Sequence, residues 1–135
     1  MKQPSEIIHN GKALEAILAD HQLWLDGKGG ECANLECADL SYANLKGVNL
    51  ELANLEFANL KGADLSYAAL SDANLSLTYL SYANLEGAGL DFADLSLADL
   101  SYANLEGADL KGSDLKGANL NYVVLYNTNL DGVKI

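Results

Sequence analysis

Few side chains in this 135-residue sequence are of types that could do chemistry. Cys32 and Cys37 lie five residues apart with no histidine beside them, which makes a poor zinc site and an improbable disulfide. His9 and His21 have no nucleophile or acid in a catalytic arrangement, and no Gly-rich phosphate loop occurs. The sequence therefore predicts no enzyme activity, no catalytic residue, no metal site and no cofactor.

Carboxylates are the abundant reactive groups. The formal net charge is −11, arginine is absent, and no basic residue lies between Lys61 and Lys111. Asp94 and Asp114 could stack as a pair, but two carboxylates without further ligands make a weak cation site. Direct binding to nucleic acid is not expected, because phosphate contacts need clustered basic residues. The charge has two interpretations, solubility or a selected acidic face, and solubility is the simpler. The candidate acidic face comprises Asp72, Glu86, Asp91, Asp94, Asp99, Glu106 and Asp109.

A five-residue repeat must position these side chains. Leucine stands at every fifth position from Leu35 to Leu130, and Ile135 closes the series. The residue two places before each of them is small, most often Ala, and the residue directly before is usually Asn or Asp. A period of five would scatter the leucines around a helix and alternate them across a straight strand. The pattern indicates a chain that turns a corner once per pentapeptide, with Leu and the small residue inside.

A longer period of twenty residues is also present. Residues 81–90 read SYANLEGAGL and residues 101–110 read SYANLEGADL. Four pentapeptides then form one coil, and about five coils stack at the ~4.8 Å spacing of neighbouring strands. The sequence thus predicts a four-sided, all-β solenoid over residues 31–135.

This run resembles the pentapeptide-repeat family, whose consensus is A(D/N)LXX. The resemblance covers residues 31–135 and implies the fold of that family, a right-handed quadrilateral parallel β-helix. Some members of the family mimic duplex DNA and bind DNA gyrase or a related topoisomerase. This gives an alternative function that the acidic run would suit.

Residues 1–30 are predicted to form a segment that caps the solenoid. Apolar residues at three- and four-residue spacings predict a helix over about residues 12–25, with Asn10 as its N-cap. Residues 1–11 fit a short strand, a helical turn or a frayed tail. An open solenoid end exposes leucines and unpaired backbone, so the helix should cover the first coil. The expected lid residues are Ile17, Leu18, Leu23, Trp24 and Leu25.

Residues twenty apart should form columns along the solenoid. Two corner columns bound one side, where Tyr79 also takes a slot that Asn or Asp usually fills. Exposed apolar surface of this kind marks interaction sites, but stacking within each column would also account for it and is the simpler interpretation. The candidate interaction face comprises Phe57, Leu77, Tyr79, Tyr82, Leu97 and Tyr102.

Glycine at the second corner position permits the positive φ of a type II turn. Bulky residues do not adopt it cheaply, so the turns at Tyr82, Leu97 and Tyr102 are predicted not to be type II.

The function that these observations favour is a non-catalytic scaffold or protein–protein interaction module. The N-terminus lacks an apolar run for a signal peptide or membrane span, which favours a cytoplasmic protein without membrane contact. The expected partner is a protein of unknown identity. The terminal leucines leave two states open, a monomer or an end-to-end dimer through the C-terminal coil.

Overall fold

A computed structural model describes residues 1–135. A 3₁₀ helix at Pro4–Glu6 is followed by two short strands, β1 (Ile8–His9) and β2 (Lys12–Ala13), which pair antiparallel, and by the helix α1 (Leu14–Leu25). From residue 34 onward, each pentapeptide forms parallel bridges with the residues twenty positions away. The C-terminal part is therefore a β-helical solenoid in which the chain turns every five residues. We call twenty consecutive residues a coil and residues twenty apart a column.

The backbone of one pentapeptide accounts for the stacking of the coils. The Leu85 N–H donates to the Asn104 carbonyl at 2.7 Å, and the Asn104 N–H donates to the Ala83 carbonyl at 3.0 Å. Within the turn, the Ala83 N–H donates to the Leu80 carbonyl at 3.0 Å. Because the extended part of each pentapeptide is so short, almost all of its hydrogen bonds join neighbouring coils.

The Asn or Asp before each leucine has a hydrogen-bonding role. Its side-chain oxygen accepts from the backbone N–H two residues on, as in Ser101 N–H to Asp99 Oδ1 at 3.1 Å. Such Asx turns favour these two residue types where the chain bends. Asparagine also donates to the residue one coil earlier, as Asn104 Nδ2 does to Asn84 Oδ1 at 3.2 Å. The hydrogen bonds of the turn and of the column therefore account for Asn and Asp at this position, and no ligand is needed to explain them.

The prediction that turns with bulky residues are not type II is wrong. Tyr82, Leu97 and Tyr102 have φ values of 60°, 59° and 60°, close to those of the corner glycines. The turn hydrogen bond at Ala83 is also present. The peptide group before each of these three residues is held on both sides. The Ser81 carbonyl accepts from the Gly62 N–H at 3.0 Å, and the Tyr82 N–H donates to the Ser101 carbonyl at 3.0 Å. Left-handed backbone persists where the surroundings over-determine it in this way.

The core consists of the leucines and small residues of the repeat. Leucines from Leu35 to Leu110 are fully buried, and alanines such as Ala83 fill the space between them. Two of the fully buried core positions are polar. Thr78 donates its hydroxyl to the Leu75 carbonyl at 2.6 Å, whereas the Ser113 hydroxyl is buried without a partner.

The start of the helix differs from the prediction. Asn10 is not the N-cap of the helix, because it lies with Gly11 in the turn between β1 and β2, at φ values of 50° and 77°. An Asn-Gly pair with two positive φ values is the preferred two-residue hairpin turn. The helix begins at Leu14, after Ala13 as its N-cap. Helix α1 is too short to cross a bilayer.

Candidate functional site

The first distinctive site is the contact between helix α1 and the first coil (31–50). Gly30 joins the two at φ 71°, and any Cβ there would collide with the Asp20 carbonyl of the helix. His21 is fully buried, and its Nδ1 accepts a hydrogen bond from the Ala33 N–H at 2.9 Å. This bond takes the place of the turn hydrogen bond that the equivalent N–H makes elsewhere in the repeat, as the Ala83 N–H does to the Leu80 carbonyl.

The structure redistributes the residues that were expected to cover the first coil. Ile17 and Leu18 pack against the core as predicted. Leu23 and Trp24 are exposed and Leu25 is half-buried, because the helix turns them away from the coil. Three further side chains, which were not among the expected lid residues, are buried here: Ile7, Leu14 and His21. His21 continues the helical spacing of the apolar stripe at positions 14, 17 and 18, so the spacing could have revealed it.

Burial lowers the pKa of His21 below its ordinary value of 6.5, and the backbone and carboxylate of Glu51 oppose this effect. Because Nδ1 accepts a hydrogen bond, the neutral ring carries its proton on Nε2. That atom is buried, and no group meets the distance and angle of a hydrogen bond with it. Trp24 stacks on the ring, with 5.7 Å between centroids and 20° between planes.

The second site is the aromatic face, which comprises Phe57, Leu77, Tyr79, Tyr82, Leu97 and Tyr102. Backbone bridges join Tyr79 to Asn59 and Asp99, so it lies in the middle of this face. Leu77 is half-buried and the others are exposed, with 56% of Tyr79 accessible to solvent. Residues 76–82 and 96–102 contain a single charged residue, Asp99. The structure thus brings together the residues of the candidate interaction face.

Stacking within columns also occurs on this face. Tyr82 and Tyr102 stack with centroids 4.8 Å apart and planes at 1°, and Tyr122 continues the stack at 4.9 Å. In the neighbouring column, a Cβ at Gly117 would meet the Leu97 side chain at 2.7 Å, so Leu97 leans over the glycine of the next coil. The two interpretations of this face are therefore compatible, since the side chains contact one another and still leave apolar surface exposed.

The seven acids of the candidate acidic face do not share one face. Five of them lie on, or at the corners of, the side of the solenoid that contains Ala69 and Gly89. Asp94 lies on the next side along the chain, and Asp99 lies on the aromatic face. Some of their oxygens already have partners: Tyr67 donates its hydroxyl to Glu86 at 3.0 Å, and Ser71 donates to Asp91 at 2.6 Å. The Glu86 hydrogen bond, with the charges of Glu86 and Glu106, raises the pKa of Tyr67. The five acids of the Gly89 side are Asp72, Glu86, Asp91, Glu106 and Asp109.

The cysteines and histidines do not form a site together. Cys32 donates its thiol to the Leu52 carbonyl at 3.4 Å, and burial raises its pKa. Cys37 is exposed one corner further on, and both thiols are free. A cavity of about 190 Å³ separates the β1–β2 hairpin from the first coil, and it is lined by His9, Cys32 and the Lys12–Asp20 ion pair. Its mixed charges do not define a ligand class.

The final coil (116–135) presents the third distinctive surface. Leu130 is 45% exposed and Ile135 is 89% exposed, although they occupy the same repeat position as the buried leucines. Leu115, Leu120 and Leu125 line the same apolar recess, which has a volume of about 160 Å³.

The chain belongs to the pentapeptide-repeat family. The family model for pentapeptide repeats matches eight copies, over residues 33–66, 58–96 and 98–135. No match to the chain was found among curated proteins.

Solved structures agree with this assignment. The pentapeptide-repeat protein Rfr23 from the cyanobacterium Cyanothece 51142 is 34% identical, with a TM-score of 0.74 over 90% of this chain and 95% of its own. The pentapeptide-repeat protein alr5209 from Nostoc Pcc 7120 is 31% identical, with a TM-score of 0.67 over 86% of this chain and 92% of its own. QnrB1, a plasmid-mediated fluoroquinolone resistance protein, is 22% identical, with a TM-score of 0.65 over 81% and 68% of the two chains. At that identity the likeness to QnrB1 concerns the fold alone.

Proposed function

We propose that this protein is a non-catalytic scaffold that binds a protein partner through the aromatic face. The fold that presents this face is a right-handed, four-sided parallel β-helix of about five coils. The single observation that carries the proposal is the exposed, nearly uncharged strip around Tyr79 in a chain with a net charge of −11.

The interior supports a binding role over a catalytic one. Leucines and alanines fill the solenoid, so any chemistry would take place on the outer surface. The polar side chains there recur with the repeat and serve the turns, as the Asp99 and Asn104 hydrogen bonds illustrate. Active sites usually need a concave pocket with converging polar groups.

Tyr79 is the feature of the face that the repeat does not explain. Its slot normally holds Asn or Asp, which closes an Asx turn and pairs along the column. Tyrosine gives up both hydrogen bonds and exposes its ring beside Leu77 and Leu97. Aromatic residues in a patch with little charge are typical of the centre of a protein–protein interface.

The partner that suits this surface is a protein with a complementary apolar patch. Nucleic acid is a poor partner, because the chain has no arginine and a net charge of −11. We place the protein in the cytoplasm without membrane contact. It is a monomer or an end-to-end dimer through the apolar recess of the final coil.

Site-specific photocrosslinking in cells tests the proposal. A crosslinker placed at Tyr79 is compared with one placed at Ala69, which occupies the same slot of the repeat on another segment. We expect a discrete crosslinked protein from position 79 and none from position 69. Equal products from both positions, or none from either, would contradict a role for the aromatic face.

The alternative function, a DNA-mimicking inhibitor of DNA gyrase or a related topoisomerase, is favoured by the five acids of the Gly89 side. A gyrase supercoiling assay with the purified protein tests it. Inhibition that is lost in the Asp91→Asn, Glu106→Gln, Asp109→Asn variant, and kept in Asp99→Asn on the aromatic face, would support the alternative. No inhibition at well above micromolar protein would exclude it.

A further inference from the structure

We propose that His21 is a proton-sensitive latch, which holds helix α1 on the first coil when neutral and releases the helix when protonated. The inference rests on the geometry of this contact and is independent of the proposed function.

The hydrogen bond between helix and coil depends on a lone pair of His21. Nδ1 accepts from the Ala33 N–H at 2.9 Å, so it must be unprotonated in the capped state. A proton on Nδ1 would turn the acceptor into a donor facing another donor. The contact is therefore lost on protonation and is not merely weakened.

The surroundings of the ring offer no acceptor for an added proton. The ring is fully buried, and Nε2 already lacks a hydrogen-bond partner. An imidazolium in this place would bury a charge whose two N–H groups are both poorly satisfied. Outside the contact, water solvates the ion, so acid favours release of the helix.

Charged groups from each neighbouring element modulate the latch. On the solenoid, the backbone and carboxylate of Glu51 favour the protonated ring, although burial outweighs them. On the cap, Asp20 precedes His21 and is ion-paired with Lys12 of β2. The Cys32 thiol, next to Ala33, is engaged by the Leu52 carbonyl. Glu51 is thus the group that sets how easily the latch opens.

The latch opens as the pH falls. The pKa of His21 is lowered in the capped state, so the stability that it contributes is complete above about pH 6.5 and is lost as the pH falls below that value. Between the pKa values of the released and capped states, the equilibrium constant for release rises about tenfold per pH unit.

The chain carries its own reporter of the latch. Trp24 is the only tryptophan, and it stacks on His21. We expect its fluorescence to change in a step with a midpoint below pH 6.5, while the circular dichroism of the solenoid is retained. The protection factor of the Ala33 amide, corrected for intrinsic exchange, should fall about tenfold per pH unit in the same range.

Three variants test the assignment. His21→Gln should abolish the fluorescence step, and His9→Gln, at the only other histidine, should leave it unchanged. Glu51→Gln should make release in acid more complete and should not move its midpoint to lower pH, because it removes a charge that helps the capped state to tolerate the protonated ring.

Nitrogen-15 NMR of the unmodified protein keeps the test independent of variants that fail to fold. At pH 7.5 the His21 ring should show an unprotonated Nδ1 and a protonated Nε2. A protonated Nδ1, a step that persists in His21→Gln, or a midpoint at or above pH 6.5 would overturn the proposal.

Discussion

The first and final coils contain the same repeat, yet their leucines lie in different surroundings. Leu35 and Leu45 are fully buried, whereas Leu130 is 45% exposed and Ile135 is 89% exposed. The residue type and the local turn are the same at both ends, so neither decides burial. What differs is the neighbouring layer: helix α1 and its flanking strands cover the first coil, whereas none of residues 1–135 covers the final one.

The covered end shows that a cap must supply two things. Apolar cover comes from Leu14, Ile17 and Leu18. Backbone partners come from Lys2, which exchanges hydrogen bonds with Tyr42 and Asn44 at 2.9 and 2.7 Å, and from His21. In a solenoid each coil contacts only its neighbours, so stability should follow this difference between the ends.

The largest expected difference is between Leu85 and Leu130. Leu85→Ala removes a fully buried side chain from the middle of the stack and should lower the free energy of unfolding by roughly 2–5 kcal/mol. Leu130→Ala alters a half-exposed side chain and should cost less than about 1 kcal/mol. Urea unfolding monitored by circular dichroism compares them, and equal losses would show that the exposed coil is covered in solution.

A second comparison concerns two glycines with similar backbone angles. Gly30→Ala places a Cβ against the Asp20 carbonyl, so the cap must shift as well as bear the strain of φ 71°. Gly107→Ala, at φ 67° with open space around it, bears only the strain. We expect about 1 kcal/mol for Gly107→Ala and clearly more for Gly30→Ala in thermal unfolding. A Gly30→Ala protein as stable as Gly107→Ala would argue against close packing of the cap.

The tyrosine stack, which connects the middle of the solenoid to the final coil, permits a smaller test. Tyr102→Ala loses the stacking on Tyr82 and Tyr122 but keeps a side chain at positive φ, and should cost about 1–2 kcal/mol. Tyr102→Gly loses the same stacking and relieves the backbone, so it should be about 1 kcal/mol more stable than Tyr102→Ala. If the alanine variant were the more stable of the two in urea unfolding, the turn would not be strained.

The smallest effect is expected at the polar core positions. Ser113→Ala removes a buried hydroxyl that has no partner, so it should be neutral or stabilising by up to about 1 kcal/mol. Thr78→Val removes the bond to the Leu75 carbonyl and should cost about 0.5–1.5 kcal/mol. Differential scanning calorimetry resolves the two. A loss of stability in Ser113→Ala would indicate a partner for that hydroxyl, such as a bound water.

Periodicity made most of the solenoid predictable. The five- and twenty-residue periods placed Leu85 in the core and Tyr79 among Leu77 and Leu97. Local preference failed at Tyr82, where the inter-coil hydrogen bond overrides the cost of positive φ.

At the N-terminus no repeat constrained the prediction. The Asn10-Gly11 turn was assigned to a helix cap, although the pair is a hairpin signal in its own right. The position of His21 on the helix favours a role in the cap, but its partner, the Ala33 N–H, is seen only once the fold is known.

Residue-resolved hydrogen exchange at pH 7.5 tests most directly the claim that the neighbouring layer decides the stability of a coil. We expect slow exchange for inter-coil amides from the first coil through the middle, including Leu35, Leu85 and Asn104. Exchange should become progressively faster for those of the final coil, such as Val124, Asn129 and Lys134. Uniform protection to the last residue, or a first coil that exchanges as fast as the final one, would contradict this claim.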